Sequence, residues 1–158
     1  MTILGLNHAV LWVRDARTSA AFYVDALGFE VVEGDAAGRA IFLRADGSTN
    51  HHDLGLFSVG DRPGPAPHAP GLYHLAWQVA TIEDLAAVER ELARRGSLVG
   101  ATDHGVSKSL YAKDPDGIEL EVMWLVPADR WAELADHSGR EVLDLAAEVA
   151  RWSGVSSS

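Results

Sequence analysis

Apolar and polar positions alternate along the first half of the chain in an order that the second half repeats. Gly5-Leu6-Asn7-His8 returns as Gly71-Leu72-Tyr73-His74, and self-similarity of this kind is weighed before any single element is assigned. After each histidine comes an apolar run, Ala9 to Val13 and Leu75 to Val79, that reads as a strand. Asp15 then offers an N-cap to a helical stretch from Ala16 to Leu27, which Gly28 can end. In the second half Thr81, with Asp84 three residues on, opens a helix from Ile82 to Arg95 that stops at Gly96. Three short strand-like segments follow each helix. They are Glu30 to Glu33, Arg39 to Leu43 and Asp53 to Val59, then Leu98 to Thr102, Ser107 to Lys113 and Ile118 to Leu125.

This order predicts an α+β fold: two paired βαβββ modules, 1–60 and 71–126, forming a curved mixed sheet within a single domain 1–158. The connector 61–70 carries four of the six prolines and reads as a semi-rigid linker. A module of about 60 residues has little core of its own, so the two are expected to pack together, within one chain or between chains. From Pro127 the repeat ends. Pro127 with Trp131 and Leu134, then Ser138 and Glu141 as a capping box before Val142, Leu145, Val149 and Trp152, predict a C-terminal extension 127–158 of two amphipathic helices. Its apolar face is expected to pack on the module pair or on a partner subunit, and a homodimer is expected. Trp124, Trp131 and Trp152 read as core or interface anchors.

Composition narrows the chemistry. With 23 Asp and Glu against 13 Lys and Arg the formal charge is −10, and no basic stripe offers counterion release, so a nucleic-acid partner is not expected. At 47% apolar and 23% charged residues the chain is of globular composition. Cysteine is absent, which excludes disulfides, a thiol nucleophile and thiolate metal sites, so any metal must be held by histidine and carboxylate. No apolar run approaches the roughly 20 residues needed to cross a bilayer, and the start lacks a basic region with a cleavage site. A cytoplasmic protein with no membrane partner is expected.

Strand alternation turns this layout into a candidate site, because successive side chains point to opposite faces of a sheet. In the first strand Ala9, Leu11 and Val13 share a face opposite His8 and Val10. In its equivalent Leu75, Trp77 and Val79 oppose His74, Ala76 and Gln78, and in the last strand Ile118, Leu120, Val122 and Trp124 oppose Glu119, Glu121 and Met123. The polar faces thus carry His8, His74 and Glu121, which a pseudo-twofold relation between the repeats would bring together. Two imidazoles and one carboxylate with open positions suit a non-haem divalent metal such as Fe(II) or Mn(II).

Several of these pieces carry a resemblance. Asn7-His8 with Val13-Arg14-Asp15 and Phe22-Tyr23 before Leu27-Gly28-Phe29, then Leu72-Tyr73-His74-Leu75-Ala76, then Asp114-Pro115-Asp116-Gly117 with Glu121 four residues after the glycine, resemble the vicinal oxygen chelate superfamily. That superfamily of paired βαβββ modules includes glyoxalases, fosfomycin and bleomycin resistance proteins and extradiol ring-cleaving dioxygenases. The run Asp103-His104-Gly105-Val106-Ser107 ahead of Leu110-Tyr111 is similar to the catechol extradiol dioxygenases. The resemblance implies metal ligands at His8, His74 and Glu121, with Glu119 left at the rim. It also implies an active-site tyrosine at Tyr111 and a pocket histidine at His104. The metal implied is Fe(II), with Mn(II), Zn(II) or Ni(II) as alternatives, and the partners implied are a small catecholic aromatic and O2. His104 or His52 would accept a substrate proton, and Val10, Phe57 and Met123 would line the space for a flat ring. Two alternatives stay open: a glyoxalase-like isomerase or lyase in which His52 completes a four-ligand site, and a metal-free drug-binding resistance protein. The full dioxygenases usually have two such double modules where this chain has one. His51 is expected at the surface, and His68 and His137 in solvent.

Overall fold

In the computed structural model, which describes residues 2–64 and 69–157, the first helix starts where its cap signal stands. The Asp15 carboxylate accepts the Thr18 N–H at 2.7 Å, satisfying one of the donors that a helix start leaves open, and α1 runs Ala16–Leu27. It ends at Gly28, whose φ of 74° is the left-handed conformation that glycine adopts without penalty, with its N–H returned to Val24 O at 3.0 Å. Four strands accompany α1 in a first unit, Met1–Pro70: β1 Ala9–Val13, β2 Glu30–Gly34, β3 Ala40–Arg44 and β4 Leu54–Ser58. Their order is β1-β4-β3-β2, with β1 parallel to β4 and the other pairs antiparallel. Alternation sets the two faces. Leu11, Val13, Ile41, Leu43, Leu54 and Leu56 are buried toward the α1 side, together with Ala20, Phe22 and Tyr23, and each large apolar side chain removed from water contributes about 1.5–3 kcal/mol. Val10 and Trp12 stay exposed on the opposite face.

The second unit, Gly71–Ser158, repeats the order with β5 Leu75–Val79, α2 Ile82–Arg94, β6 Leu98–Asp103, β7 Ser107–Lys113 and β8 Glu119–Leu125. Thr81 and Asp84 form the expected capping box, each side chain accepting the other's backbone N–H at 3.1 Å. With a short edge strand β9, Glu141–Val142, the five-stranded sheet runs β5-β8-β7-β6-β9, with β5 parallel to β8. Leu110, Leu120, Val122 and Trp124 on its inner face are buried with Leu85 and Leu92 of α2. Two mixed sheets with helices make the fold α+β, as the alternation predicts.

The C-terminal extension departs from the two helices expected. Pro127 heads a 3-10 helix, Ala128–Leu134, and Ser138 meets Glu141 at 2.8 Å without opening a helix. Glu141–Val142 instead forms β9, pairing with Asp103 and Thr102 of β6. The cause is tertiary: β6 would otherwise leave a row of unpaired N–H and C=O groups, which a short strand satisfies and a helix start would not. Helix α3 begins later, Leu145–Trp152, under Asp144, whose carboxylate accepts the Ala147 N–H at 3.0 Å. Trp152 is fully buried against Trp124, ring centres 5.8 Å apart, whereas Trp131 is 43% exposed and is tied by its Nε1–H to Val126 O. The anchor role therefore falls to Trp124 and Trp152. His68 lies outside the described residues. Among the described residues, no helix is long and apolar enough to cross a membrane.

Candidate functional site

On the outer face of the second sheet, the register of β5 and β8 sets Ala76 beside Glu121, and His74, just before β5, shares that face. His74 Nε2 lies 3.1 Å from Glu121 Oε2, with both side chains mostly buried. Tyr111 stands opposite Glu121 in the β7–β8 register, its ring centre 5.9 Å from that of His74. Its hydroxyl is 3.0 Å from His104 Nε2, while His104 Nδ1 is 3.2 Å from Gly139 O. A carbonyl only accepts, so Nδ1 carries a proton, which leaves Nε2 as the ring nitrogen whose lone pair can accept the Tyr111 O–H. Burial first, and the Glu121 carboxylate second, push the Tyr111 phenol above its ordinary range, so it stays protonated. The second unit thus brings four of the expected site residues together: His74, Glu121, Tyr111 and His104. Glu119 is engaged elsewhere, accepting a hydrogen bond from the Tyr73 hydroxyl. Asp114 accepts the N–H groups of Asp116 and Ile118 at 2.9 and 2.8 Å and so shapes the turn that launches β8. Burial outweighs those bonds and raises its carboxyl pKa.

In the first unit His8 is oriented by a chain of amides. Asn7 donates its Nδ2–H to Asn50 Oδ1 at 3.1 Å, which leaves Asn7 Oδ1 to accept from His8 Nδ1 at 2.8 Å. The His8 Nε2 lone pair is then free. Asn50 is itself held by Asp53 Oδ1 at 2.8 Å and by Asn7 O at 2.9 Å. Burial works against the Asp53 carboxylate, but donors from Ala45, Asn50 and Ser48 outweigh it and hold its pKa below the ordinary value. His52 packs on His8, ring centres 4.6 Å apart, and on Phe42 at 4.9 Å. From Phe42 an aromatic stripe continues through Phe57 to Trp12 at 5.8 and 5.7 Å. His51 is exposed, its Nδ1 3.1 Å from that of His52.

The spacing of His74 and Glu121 fits a divalent ion. Two ligand atoms about 2.1 Å from an ion and at right angles lie about 3.0 Å apart, and His74 Nε2 and Glu121 Oε2 hold that spacing at 3.1 Å. Within neither unit, among the described residues, do three or more His, Asp or Glu side chains group to hold an ion.

Sequence reasoning missed several contributors. Trp12 sits two residues from Val10, so the same alternation carries the signal for it. Tyr73, ring centre 4.7 Å from that of His74, and the Asn7–Asn50 pair have no comparable signal. His137, expected in solvent, is 14% exposed, its Nε2 3.3 Å from Asp103 Oδ1 though off the line of a hydrogen bond. It is drawn in by an ionic cluster behind the sheet. Lys108, 1% exposed, reaches Asp103 at 2.6 Å and Glu148 at 3.0 Å. Burial pushes the Asp103 carboxyl up, but Lys108 and the Gly105 N–H outweigh it and hold it below the ordinary range.

The chain is 30% identical over 142 residues to a catechol-2,3-dioxygenase of Bacillus subtilis (strain 168), covering 87% of this chain and 47% of that protein. It is 34% identical over 122 residues to biphenyl-2,3-diol 1,2-dioxygenase 3 of Rhodococcus globerulus, covering 74% and 62%. It thus spans roughly half the length of these curated relatives. The fold matches a solved glyoxylase/bleomycin resistance protein/dioxygenase domain from Frankia sp. EAN1pec with a TM-score of 0.64 at 24% identity, over 78% of this chain and 99% of that one. Because residues 5–122 match the family's own sequence pattern from before His8 to just past Glu121, the chain belongs to the Glyoxalase/Bleomycin resistance protein/Dioxygenase superfamily.

Proposed function

We propose that the chain is a cytoplasmic, divalent-metal-dependent enzyme that opens a small catecholic aromatic with O2, working as a homodimer. His74 and Glu121 of the second unit and His8 of the first would hold the metal. The observation that carries this reading is the set His74, Glu121, Tyr111 and His104 on one sheet face, with a ligand-spaced pair beside a hydrogen-bonded phenol and imidazole. When bound, Fe(II), or Mn(II), Zn(II) or Ni(II) in its place, would supply a Lewis-acid centre for substrate oxygens, and Fe(II) or Mn(II) would also supply the redox chemistry for O2.

The chain's own residues handle the proton and the ring. Tyr111 donates its O–H to His104 Nε2, so its oxygen is free to accept from a substrate hydroxyl. As that hydroxyl gives its proton to Tyr111 Oη, Tyr111 passes its own to His104 Nε2, and the phenol is restored. The raised pKa of Tyr111 makes it a conduit, with His104 as the base. Phe42, Phe57 and Trp12, packed edge to face, offer an aromatic wall suited to an apolar ring.

The packing of His52 on His8 favours a second reading, an isomerase or lyase in which His52 completes a four-ligand site. Oxygen uptake separates the two. Fe(II)-loaded protein is expected to consume O2 with a member of a catechol panel and give a yellow ring-cleaved product. His52→Ala is expected to keep its metal and lose only part of that activity. A wild-type protein inert toward catechols but active with Ni(II) or Zn(II) on a hemithioacetal, with His52→Ala losing metal as severely as His74→Ala, would establish the isomerase instead.

A further inference from the structure

We infer that His137, on the loop between the 3-10 helix and β9, is a positioning residue that fixes the tautomer of His104 and, through it, the Tyr111 hydroxyl. His137 and Gly139 lie beyond residues 5–122, the part of the chain that matches the superfamily. Their loop grips the β6–β7 turn at two points. At the first, the His137 ring sits over Gly105, where an added Cβ would meet His137 Cγ and Nδ1 at 3.2 Å and where φ is 79°. Gly105 in turn donates its N–H to Asp103 Oδ1 at 2.7 Å, and His137 Nε2 faces that same oxygen at 3.3 Å. At the second, Gly139 O accepts the His104 Nδ1–H at 3.2 Å. The link between the points is the Gly139 N–H, which donates to His137 Nδ1 at 2.9 Å.

The carbonyl decides the tautomer. A hydroxyl can donate or accept, so the Tyr111 contact alone leaves either His104 nitrogen able to carry the proton. Gly139 O can only accept, and its placement breaks that symmetry. His137 Nδ1 holds the residue that presents it, so the chain of contacts runs from the buried Lys108–Asp103 pair through His137, Gly139 and His104 to Tyr111. The value of the tautomer to catalysis rests on the proposed function; the tautomer itself does not.

The test is long-range 1H–15N NMR of histidine-labelled protein at about pH 8.5, where imidazoles in general are neutral, with the His104 signals assigned by their loss in His104→Gln. In the wild type, His104 is expected to show a protonated Nδ1 and a lone pair at Nε2. His137→Asn keeps an oxygen able to accept the Gly139 N–H, as in an Asx turn, and is expected to keep the pattern. His137→Ala is expected to show mixed tautomers. In the Fe(II)-loaded enzyme His137→Ala should lower kcat by about tenfold with KM changed less than about twofold, and His137→Asn should restore most of it. The inference is overturned by an Nε2-protonated His104 in the wild type, by an unchanged pattern in His137→Ala, or by an asparagine variant no better than alanine. Should His137→Ala fail to fold, an Nε2-protonated His104 in the wild type, or loss of the wild-type pattern in His137→Asn, still overturns the inference. The expected tautomers in a protein inert toward catechols would sustain the positioning role and refute the proposed reaction.

Discussion

Replacing Lys108 with methionine keeps the length and apolar stem of the side chain and removes only the ammonium. Lys108 is 1% exposed and faces two carboxylates, Asp103 Oδ1 at 2.6 Å and Glu148 Oε2 at 3.0 Å, themselves only 12% and 14% exposed. Removing one partner of a buried ion pair costs about 3–5 kcal/mol, because the remaining charge is left uncompensated. Two carboxylates are stranded here, which argues for the upper end. Each keeps one donor, the Gly105 N–H at 2.7 Å for Asp103 and the Trp152 Nε1–H at 2.8 Å for Glu148, which argues for the lower. We expect a loss of about 4 kcal/mol by urea unfolding at about pH 7, or a Tm lower by about 10 °C. The pH dependence gives the sign. In the wild type the Asp103 pKa is lowered, so its stabilisation is complete above the unfolded-state pKa and fades only as pH falls through the still lower folded value; between pH 7 and 5 the wild type is level with respect to this group. In Lys108→Met the Asp103 carboxylate loses its cation, and burial, which already pushes its pKa up, is left less opposed. The variant's deficit therefore shrinks on going from about pH 7 to about pH 5. A deficit below about 1 kcal/mol, or one equally large at both pH values, would refute the reasoning.

Two further outcomes follow from the structure. Asp114→Asn keeps an oxygen for the Asp116 and Ile118 N–H groups and removes a charge whose burial raises its pKa; since a raised carboxyl pKa means stability lost as pH rises through it, the variant should equal or exceed the wild type at about pH 7 and show a flatter stability profile from about pH 4 upward in denaturant titrations. Trp152→Ala empties a fully buried site against Trp124 and frees Glu148 from its indole partner, and should cost about 3–5 kcal/mol, with faster amide exchange across α3 as the accompanying signature.

The elements legible in the sequence are those written in local chemistry. Helix α1 takes the bounds that Asp15 and Gly28 mark, and α2 carries the Thr81–Asp84 box. Alternation along β5 and β8 placed His74 and Glu121 on one face, as the structure has them, and the structure also brings Tyr111 and His104 within hydrogen-bond distance. What escaped depends on partners distant in the chain. Ser138 and Glu141 form their contact, but β6 claims Glu141 and Val142 as a strand. His137 is drawn out of solvent by Asp103, thirty-four positions earlier. One signal stood in plain view: the period of two puts Lys108 on the inner face of β7 with Leu110 and Ala112, and a lysine there demands the buried carboxylates that Asp103 and Glu148 supply.

The central claim, that His8, His74 and Glu121 together hold one divalent metal, is tested most directly by elemental analysis of anaerobically purified protein and its single-alanine variants. The fold should survive each change, because all three side chains stand apart from the buried faces of the two sheets. We expect about one ion per chain in the wild type, and loss of stoichiometric metal in His8→Ala, His74→Ala and Glu121→Ala with unfolding midpoints near that of metal-free wild type. Full occupancy in all three variants, or a wild-type protein that takes up no Fe(II), Mn(II), Zn(II) or Ni(II) when offered them, would contradict it.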